Sequence, residues 1–291
     1  MAQQLQFFQS LWAMERRHTD GVERSLEENV RMIADAGYDG ISTHFPDRAK
    51  VRRVGVLLRQ HGLGIEVQGF PKTVDDLQPV LEIAAELGCH HVDVQPDVRP
   101  RRLAACVTLL EGWQRLAEQV RFPVLFETHR DRMTTDLFFT LDLMDAVQGL
   151  KLCADLSHYL VGPEFAWPVD SQNTAMIHRI LDRCWAMHGR VACREQVQVQ
   201  ISYPHHRMWR DLVLDWWEYG MRSWRGRAGA DSALVFVCEL GPQPYAITGP
   251  DGNDTTDRWQ EALMLRDEVR RRWERLFAGA EMGQPGAHDL T

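Results

Sequence analysis

VLFETHRDRMTTDLFFTLDLMDAVQGLKLCAD, residues 124–155, contains two short apolar runs separated by a segment of helix length. The runs VLFE (124–127) and LKLCAD (150–155) have the length and composition of buried strands. The stretch over 134–147 has the length and apolar content of a helix. Strands joined by a helical crossover lie parallel in a sheet, because the crossover returns the chain to the same end. The segment therefore predicts a βαβ unit.

The same alternation continues in both directions and gives eight strand–helix units. The strand candidates are LQFFQSLWAM (5–14), YDGIST (38–43), LGIEVQG (63–69), HHVDVQ (90–95), FPVLFE (122–127), LKLCAD (150–155), CWAMH (184–188) and LVFVCE (234–239). Helical patterns follow them at 25–37, 48–61, 73–87, 101–119, 134–147, 173–183, 207–224 and 256–277. Eight units favour an α/β protein closed into a (β/α)8 TIM barrel, for which about 250 residues is usual. We expect a single domain over residues 1–278 and a disordered tail over residues 279–291.

The charge and hydropathy of the sequence disfavour nucleic acids and membranes as partners. The formal net charge is -8, from 33 Lys and Arg against 41 Asp and Glu. This balance disfavours nucleic-acid binding, which normally needs a basic surface. No window approaches the roughly 20 apolar residues of a membrane span, and the N-terminus lacks a secretory signal pattern. We therefore expect a cytoplasmic protein with neither a nucleic-acid partner nor a membrane partner.

The cysteines and lysines narrow the range of possible metal sites and catalytic mechanisms. The six cysteines form no C-x-x-C pair, and several lie in apolar runs. Buried, reduced thiols are therefore favoured over metal ligation or disulfides. The lysines are Lys50, Lys72 and Lys151, and Lys151 stands near the start of its strand, at the barrel face remote from catalysis. A Schiff-base mechanism lacks an obvious nucleophile.

Acidic or imidazole side chains end the last four predicted strands. They are Glu127, Asp155, His188 and Glu239. A carboxylate at the end of a buried strand must be paired, protonated or bound to a cation, because desolvating an isolated charge is costly. Each of them alone is equally consistent with a hydrogen bond to a neighbouring loop. Together they can converge at the barrel mouth and bind one divalent cation, Mn²⁺ or Mg²⁺ by preference, with Co²⁺ or Zn²⁺ also open.

Four short motifs at these strand ends resemble the metal-site pattern of the xylose-isomerase-like TIM barrel superfamily. The motifs are LFETH (125–129), ADLSH (154–158), AMHGR (186–190) and VCELGP (237–242). The resemblance covers about residues 5 to 277 and is closest to the sugar phosphate isomerase/epimerase branch, which includes ketose 3-epimerases, hydroxypyruvate isomerases and inosose dehydratases. It implies one divalent ion held by Glu127, Asp155, His188 and Glu239.

The resemblance also implies residues that face the substrate. His158 would do so, and the family's arginine would be Arg190 or Arg194, of which we prefer Arg190 because its shorter step from His188 keeps it near the rim. Apurinic-site endonucleases of the same superfamily fit less well. The third and fourth strands end in Gln68 and Gln95 instead of histidine, and no Asp-x-His step follows His188. The catalytic lysine and second metal site of true xylose isomerases have no clear counterpart.

Three further residues are candidates for substrate binding. His44 ends the second predicted strand and either lines the pocket or only occupies the rim. Trp12 ends the first predicted strand and offers a flat wall to a sugar ring, although a core position is equally plausible. Arg130 could bind a substrate carboxylate or phosphate with its planar guanidinium, or pair with a loop acid. The tryptophan-rich segment 209–224 has helical spacing and is expected to pack against the barrel or a neighbouring subunit.

The combined pattern predicts an isomerase or epimerase acting on a sugar-like polyhydroxy carbonyl compound. The cation would polarise the carbonyl and stabilise an enediolate, while Glu127 and Glu239 would remove and return the proton. A metal-dependent lyase or dehydratase acting on a keto-polyol and a non-catalytic metal-binding barrel remain alternatives. The segment 241–252, GPQPYAITGPDG, could be a lid or a phosphate loop, and homo-oligomerisation stays open.

Overall fold

The computed structural model describes residues 2–18, 20–99 and 102–281, with no side-chain description after residue 276. Eight parallel strands form a closed barrel in sequence order. They are β1 Gln4–Ser10, β2 Gly40–His44, β3 Gly64–Gly69, β4 His91–Val94, β5 Val124–Glu127, β6 Leu152–Asp155, β7 Cys184–Gly189 and β8 Ala233–Cys238. Strands β1 and β8 pair from Gln4 opposite Ala233 to Gln9 opposite Cys238, which closes the cylinder. The predicted single-domain (β/α)8 TIM barrel is confirmed.

Each strand is followed by a helix, as the sequence predicts. The α-helices of the described residues are α1 Leu26–Asp35, α2 Arg48–His61, α3 Gln78–Leu87, α4 Leu103–Ala117, α5 Leu137–Ala146, α6 Ser157–Val161, α7 Ser171–Leu181, α8 Arg207–Arg227 and α9 Arg258–Glu281. The short helix α6 was not predicted and lies in the connection after β6. Helix α9 continues through residues 279–281, and the remainder of the expected tail, 282–291, lies outside the described residues.

Local sequence signals fix where the helices begin and end. Ser25 and Glu28 form a reciprocal capping box at the start of α1, which satisfies two otherwise unpaired backbone N–H groups. Helix α2 begins at the Asp47 cap and ends at Gly62, whose φ of 66° lies in the left-handed region that glycine adopts without a steric cost. These signals turn the chain sharply into β3 and so help to align the strand ends at one rim.

The core between the barrel and its helices is rich in aromatic side chains. Trp217 on α8 is fully buried and meets Phe236 of β8 edge to face, with ring centres 4.9 Å apart. Trp216 and Trp224 on the same helix are also buried. The predicted packing of the tryptophan-rich helix against the barrel is thus confirmed. All six cysteines are free and buried, as expected.

The first strand is shorter than its apolar run suggests. Strand β1 ends at Ser10, and Trp12 begins a 3-10 turn, Trp12–Met14, so the prediction that Trp12 ends the strand is wrong. The Leu11 N–H still donates to the Ser42 carbonyl of β2. The Met14 N–H then donates to the Leu11 carbonyl, and this bond bends the chain across the rim. Among the described helices, none combines the length and apolar character that crossing a bilayer requires.

Candidate metal centre and active site

Three carboxylates meet at the mouth of the barrel. Glu127 ends β5, Asp155 ends β6, and Glu239 directly follows β8. One oxygen of each lies within 4.8 Å of an oxygen of the other two, and all three residues are buried. Parallel pairing produces this convergence, because it brings every strand C-terminus to the same rim. The predicted strand ends therefore bring these acids together.

His188 ends its apolar run beside the same cluster. In the pairing of β6 with β7, His188 lies opposite Asp155. Its Nδ1 atom is 3.5 Å from a Glu127 oxygen and 3.3 Å from a Glu239 oxygen. His188 therefore contacts two of the three acids, so all four residues that the sequence proposes as ligands belong to one buried cluster.

Several polar atoms of the cluster have no hydrogen-bond partner among the described residues. Both Glu127 carboxylate oxygens, Asp155 Oδ2 and His188 Nδ1 are buried without a hydrogen-bond partner. Burial raises the pKa of Asp155, and the charges of Glu127 and Glu239 add to this effect, although Arg190 opposes it. Unpartnered buried acceptors are costly, and three carboxylates with one imidazole suit Mn²⁺, Mg²⁺ or a similar ion. The residues present fit a divalent cation.

The two Asp155 oxygens have different environments. Oδ1 accepts hydrogen bonds from the Ser157 backbone N–H at 2.9 Å and from its hydroxyl at 2.6 Å. Oδ2 instead faces the cluster, 3.3 Å from Arg190 Nη2 and 3.4 Å from His158 Nε2. Ser157 therefore holds the carboxylate in one orientation and leaves a single oxygen free for a cation.

Glu66 lies beneath the cluster and was missed by the sequence reasoning. This fully buried residue of β3 accepts hydrogen bonds from the Ser42 hydroxyl at 2.6 Å and from His91 Nε2 at 2.7 Å. His188 Nε2 lies 3.1 Å from one Glu66 oxygen and 3.2 Å from the other. Because a carboxylate can only accept, this contact fixes a hydrogen on Nε2 and leaves Nδ1 as the nitrogen that faces the acids.

Burial and neighbouring charges shift the pKa values of Glu66, His188 and Asp93. Burial alone would raise the pKa of Glu66, but the neighbouring His188 and His91 lower it, so Glu66 is ionised. Burial opposes the charged form of His188 too, yet the carboxylates of Glu66, Glu239 and Glu127 raise its pKa well above the usual value. Burial and the Glu127 charge raise the pKa of Asp93 on β4 well above its usual value.

Arg190 is the cationic neighbour of the acids. It is 1% exposed, and its Nη2 atom donates to a Glu239 oxygen at 2.7 Å. Although burial disfavours its charge, Asp155 and Glu239 raise its pKa above the usual value. Arg194, the alternative considered from sequence, is 42% exposed and lies 3.7 Å from Glu164. Arg190 is therefore the arginine at the cluster.

Two histidine rings contact each other, tilted by 52°, beside Asp155. His158 is 1% exposed, and its ring centre lies 4.1 Å from that of His129. Burial lowers the pKa of His158 well below its usual value, and the neighbouring His129 and Arg190 reinforce the shift. His158 is therefore a neutral imidazole with both ring nitrogens buried and without a hydrogen-bond partner, as expected of a group that awaits a polar ligand.

Aromatic side chains cover the mouth. The guanidinium carbon of Arg190 lies 5.6 Å from the Trp12 ring centre and 4.5 Å from that of Tyr245. Tyr245 belongs to the loop after β8 and was missed by the sequence reasoning, although the loop was a candidate lid. The Arg130 guanidinium lies 4.7 Å from the same Tyr245 ring. A Cβ atom on Gly241 would fall 2.2 Å from the Trp12 ring, so only glycine allows this loop to approach so closely.

His44 has a different environment from the other predicted substrate residues. It ends β2, as predicted, but its side chain is exposed and packs edge to face against Phe70, with ring centres 5.8 Å apart. Within the described residues, no hydrogen bond or ion pair joins it to the four acid and imidazole groups. Gln68 and Gln95 are buried near the ends of β3 and β4, where the histidines of a multi-metal cluster would be needed.

Comparisons with known proteins agree with the fold. AP endonuclease, family 2, from Brucella melitensis is 16% identical, with 84% of this chain and 94% of that chain covered and a TM-score of 0.53. A sugar phosphate isomerase/epimerase from Parabacteroides distasonis ATCC 8503 is 8% identical, with coverages of 92% and 95% and a TM-score of 0.59. The comparison with curated proteins gave no match.

The family comparison covers more than half of the chain. The model of the xylose isomerase-like TIM barrel family matches residues 30–188, which run from α1 to His188 and include three of the four clustered side chains. This match confirms the resemblance to the xylose-isomerase-like superfamily that the four short motifs indicated. The chain belongs to the xylose isomerase-like TIM barrel family.

Proposed function

We propose that this protein is a divalent-metal-dependent isomerase or epimerase that acts on a sugar or a related polyhydroxy carbonyl compound. The observation that carries the proposal is the buried set of Glu127, Asp155, His188 and Glu239. Both Glu127 oxygens, Asp155 Oδ2 and His188 Nδ1 have no hydrogen-bond partner in the described part of the chain, and that Nδ1 atom lies 3.3 Å from a Glu239 oxygen. These four residues would hold the ion, with Mn²⁺ or Mg²⁺ preferred. When bound, such an ion polarises a carbonyl and acidifies the neighbouring C–H group.

Glu127 and Glu239 would carry out the proton transfer. They come from the ends of β5 and β8, which are not neighbours in the barrel, so one carboxylate can take a proton from the α-carbon and the other can return a proton to the opposite face. Burial alone would raise the pKa of Glu127, but His188 lowers it to about 2, which keeps this carboxylate ionised. Return to the same carbon gives an epimer, and return to the neighbouring carbon gives an isomer.

The other mouth residues would orient the substrate and exclude water. His158 has two unused ring nitrogens that can donate to and accept from substrate hydroxyls. Trp12 and Tyr245 offer flat faces to a sugar ring, with their own ring centres 5.1 Å apart. Arg190 holds Glu239 in place through its 2.7 Å hydrogen bond. Exclusion of water from the mouth would strengthen electrostatic interactions with the reacting atoms.

A DNA-repair role like that of the Brucella structure has less support. Neutral amides, Gln68 and Gln95, stand near the ends of β3 and β4, where the endonuclease pattern has histidines. The net charge of -8 also disfavours a duplex ligand. We therefore favour one ion and a small substrate.

Metal-dependent exchange of substrate α-protons tests the proposal. We expect the Mn²⁺-loaded protein in deuterated water to introduce deuterium into at least one ketose, aldose or keto-acid sugar of a broad panel, with no change in composition beyond that label. Chelator-treated protein, restored afterwards with Mn²⁺, is the control. Mass spectrometry and NMR detect the label. Loss of water from the product would indicate a dehydratase, and bound metal without exchange across the panel would contradict an enzymatic role.

A further inference from the structure

Two arginines from different loops face the same tyrosine ring at the barrel mouth. Arg130 follows β5, Arg190 follows β7, and Tyr245 lies in the loop after β8. The guanidinium carbons lie 4.7 Å and 4.5 Å from the Tyr245 ring centre. The electron-rich face of an aromatic ring attracts a guanidinium group, so the one tyrosine ring holds both arginines at the barrel mouth.

The guanidinium of Arg190 has unused hydrogen-bond donors. Its Nη2 atom contacts Glu239 at 2.7 Å and Asp155 at 3.3 Å. The Nε and Nη1 atoms are buried and have no acceptor. Buried N–H groups are normally satisfied, and a charged group left partly unsatisfied in the interior points to a missing partner. Arg190 can therefore offer two donors to a ligand while it still contacts Glu239.

Arg130 differs from the other arginines of its neighbourhood. Arg132 pairs with Asp97 at 3.1 Å, and Arg99 pairs with Asp131. In the portion of the chain that the structure describes, the Arg130 guanidinium has no carboxylate partner; its contact is the Tyr245 ring. An exposed arginine that rests on an aromatic ring beside a buried site is available to a negatively charged ligand.

We propose that Arg130 and Arg190 bind an anionic group of the substrate, so that the substrate is an acidic sugar derivative, a carboxylate or a phosphate monoester, and not a neutral sugar. The inference rests on the proposed function of the same site. Guanidinium groups bind the paired oxygens of carboxylates and phosphates through parallel hydrogen bonds. The close contact of Arg190 with Glu239 sets the anionic group next to the carbon that reacts.

The neighbouring acids make this binding dependent on the cation. Asp155 and Glu239 lie against Arg190 and would repel an anion as long as their charge is not balanced. Anion affinity is therefore expected to rise when Mg²⁺ or Mn²⁺ is present, even though the two arginines supply the hydrogen bonds. This coupling distinguishes the site from a surface arginine patch, whose affinity for anions would not depend on the metal.

Binding of small probes to the Mg²⁺-loaded protein tests the proposal without turnover. Glycolate and methyl phosphate represent the two kinds of anion, and glycolamide is the neutral match of glycolate. We expect at least one anion to bind about tenfold more tightly than glycolamide by NMR titration. Tighter binding of glycolate would identify a carboxylate substrate, and tighter binding of methyl phosphate would identify a phosphorylated one. Equal affinities for all three probes would overturn the proposal.

Matched variants assign the effect to the proposed residues. Arg130→Gln should remove the preference for the anion, whereas Arg132→Gln, which changes a paired arginine two residues away, should keep it. Arg130 is exposed, so its replacement is not expected to disturb folding, and circular dichroism checks this. An unchanged preference in Arg130→Gln would overturn the proposal. Because the readout is binding, absence of proton exchange would refute the enzymatic function without deciding this result.

Discussion

Replacing Glu239 with Gln is expected to lower the rate of substrate α-proton exchange by about 10²- to 10⁴-fold, the usual contribution of a general acid or base. The amide keeps the shape of the side chain but cannot accept the proton. It also loses the charge that Arg190 Nη2 contacts at 2.7 Å. The measurement is the rate of deuterium incorporation with Mn²⁺ at saturation, so that any weaker metal binding is compensated. The thermal unfolding midpoint checks that the fold is retained.

Glu164→Gln is the matched control for this experiment. Glu164 lies in the loop after α6, is largely exposed and is 3.7 Å from Arg194, outside the cluster. Its replacement should leave the exchange rate within about twofold of the original, as surface substitutions away from special features usually do. Substantial exchange activity in Glu239→Gln would show that this carboxylate does not carry the proton, and Glu127→Gln would then be the variant to compare.

Replacing Glu66 with Gln is expected to weaken Mn²⁺ binding by about 10- to 100-fold, the usual effect of losing a group that orients a metal ligand. Glu66 accepts from His188 Nε2 and thereby presents Nδ1 to the carboxylates. A glutamine amide can offer its N–H₂ group instead, which would favour the opposite tautomer of His188. Electron paramagnetic resonance of free Mn²⁺ gives the dissociation constant directly.

Ser42→Ala separates this role from a general effect of disturbing the barrel interior. Ser42 donates to Glu66 at 2.6 Å but lies outside the four proposed ligands. We expect it to weaken Mn²⁺ binding less than Glu66→Gln, because the contact between Glu66 and His188 remains. Equal Mn²⁺ affinity in Glu66→Gln and the unaltered protein would show that Glu66 has no part in orienting the imidazole.

The fold was predictable because its signals are local. Apolar runs such as 234–239 and helical patterns such as 48–61 alternate along the whole chain, and α2 has the bounds that its pattern predicts. The boundary at Trp12 was not predictable in the same way. The apolar run continues past Ser10, and the 3-10 turn is closed by the Met14 and Glu15 N–H groups, which donate to the Leu11 and Trp12 carbonyls.

The residues of the candidate site could likewise be predicted only in part. Glu127, Asp155, His188 and Glu239 could be proposed because strand ends are visible in the sequence and converge in a barrel. Glu66 and Asp93 lie within their strands, where a charged side chain in an apolar run was the one available signal, and it was not used.

Tyr245 illustrates a further limit of the sequence reasoning. Its position over Arg130 and Arg190 follows from the path of a long loop that no periodicity describes. The two arginines themselves could be proposed as substrate contacts, but their shared contact with one ring could not. This contact depends on three loops from separate parts of the chain.

Anomalous scattering from a crystal grown with Mn²⁺ tests the central proposal most directly. We expect one strong peak at the barrel mouth, within bonding distance of oxygens from Glu127, Asp155 and Glu239 and of the Nδ1 atom of His188. Chelation before crystallisation should remove the peak, and added Mn²⁺ should restore it. A peak at another location, or no peak with these four side chains ordered and Mn²⁺ in excess, would contradict a metal centre built from the ends of the last four strands.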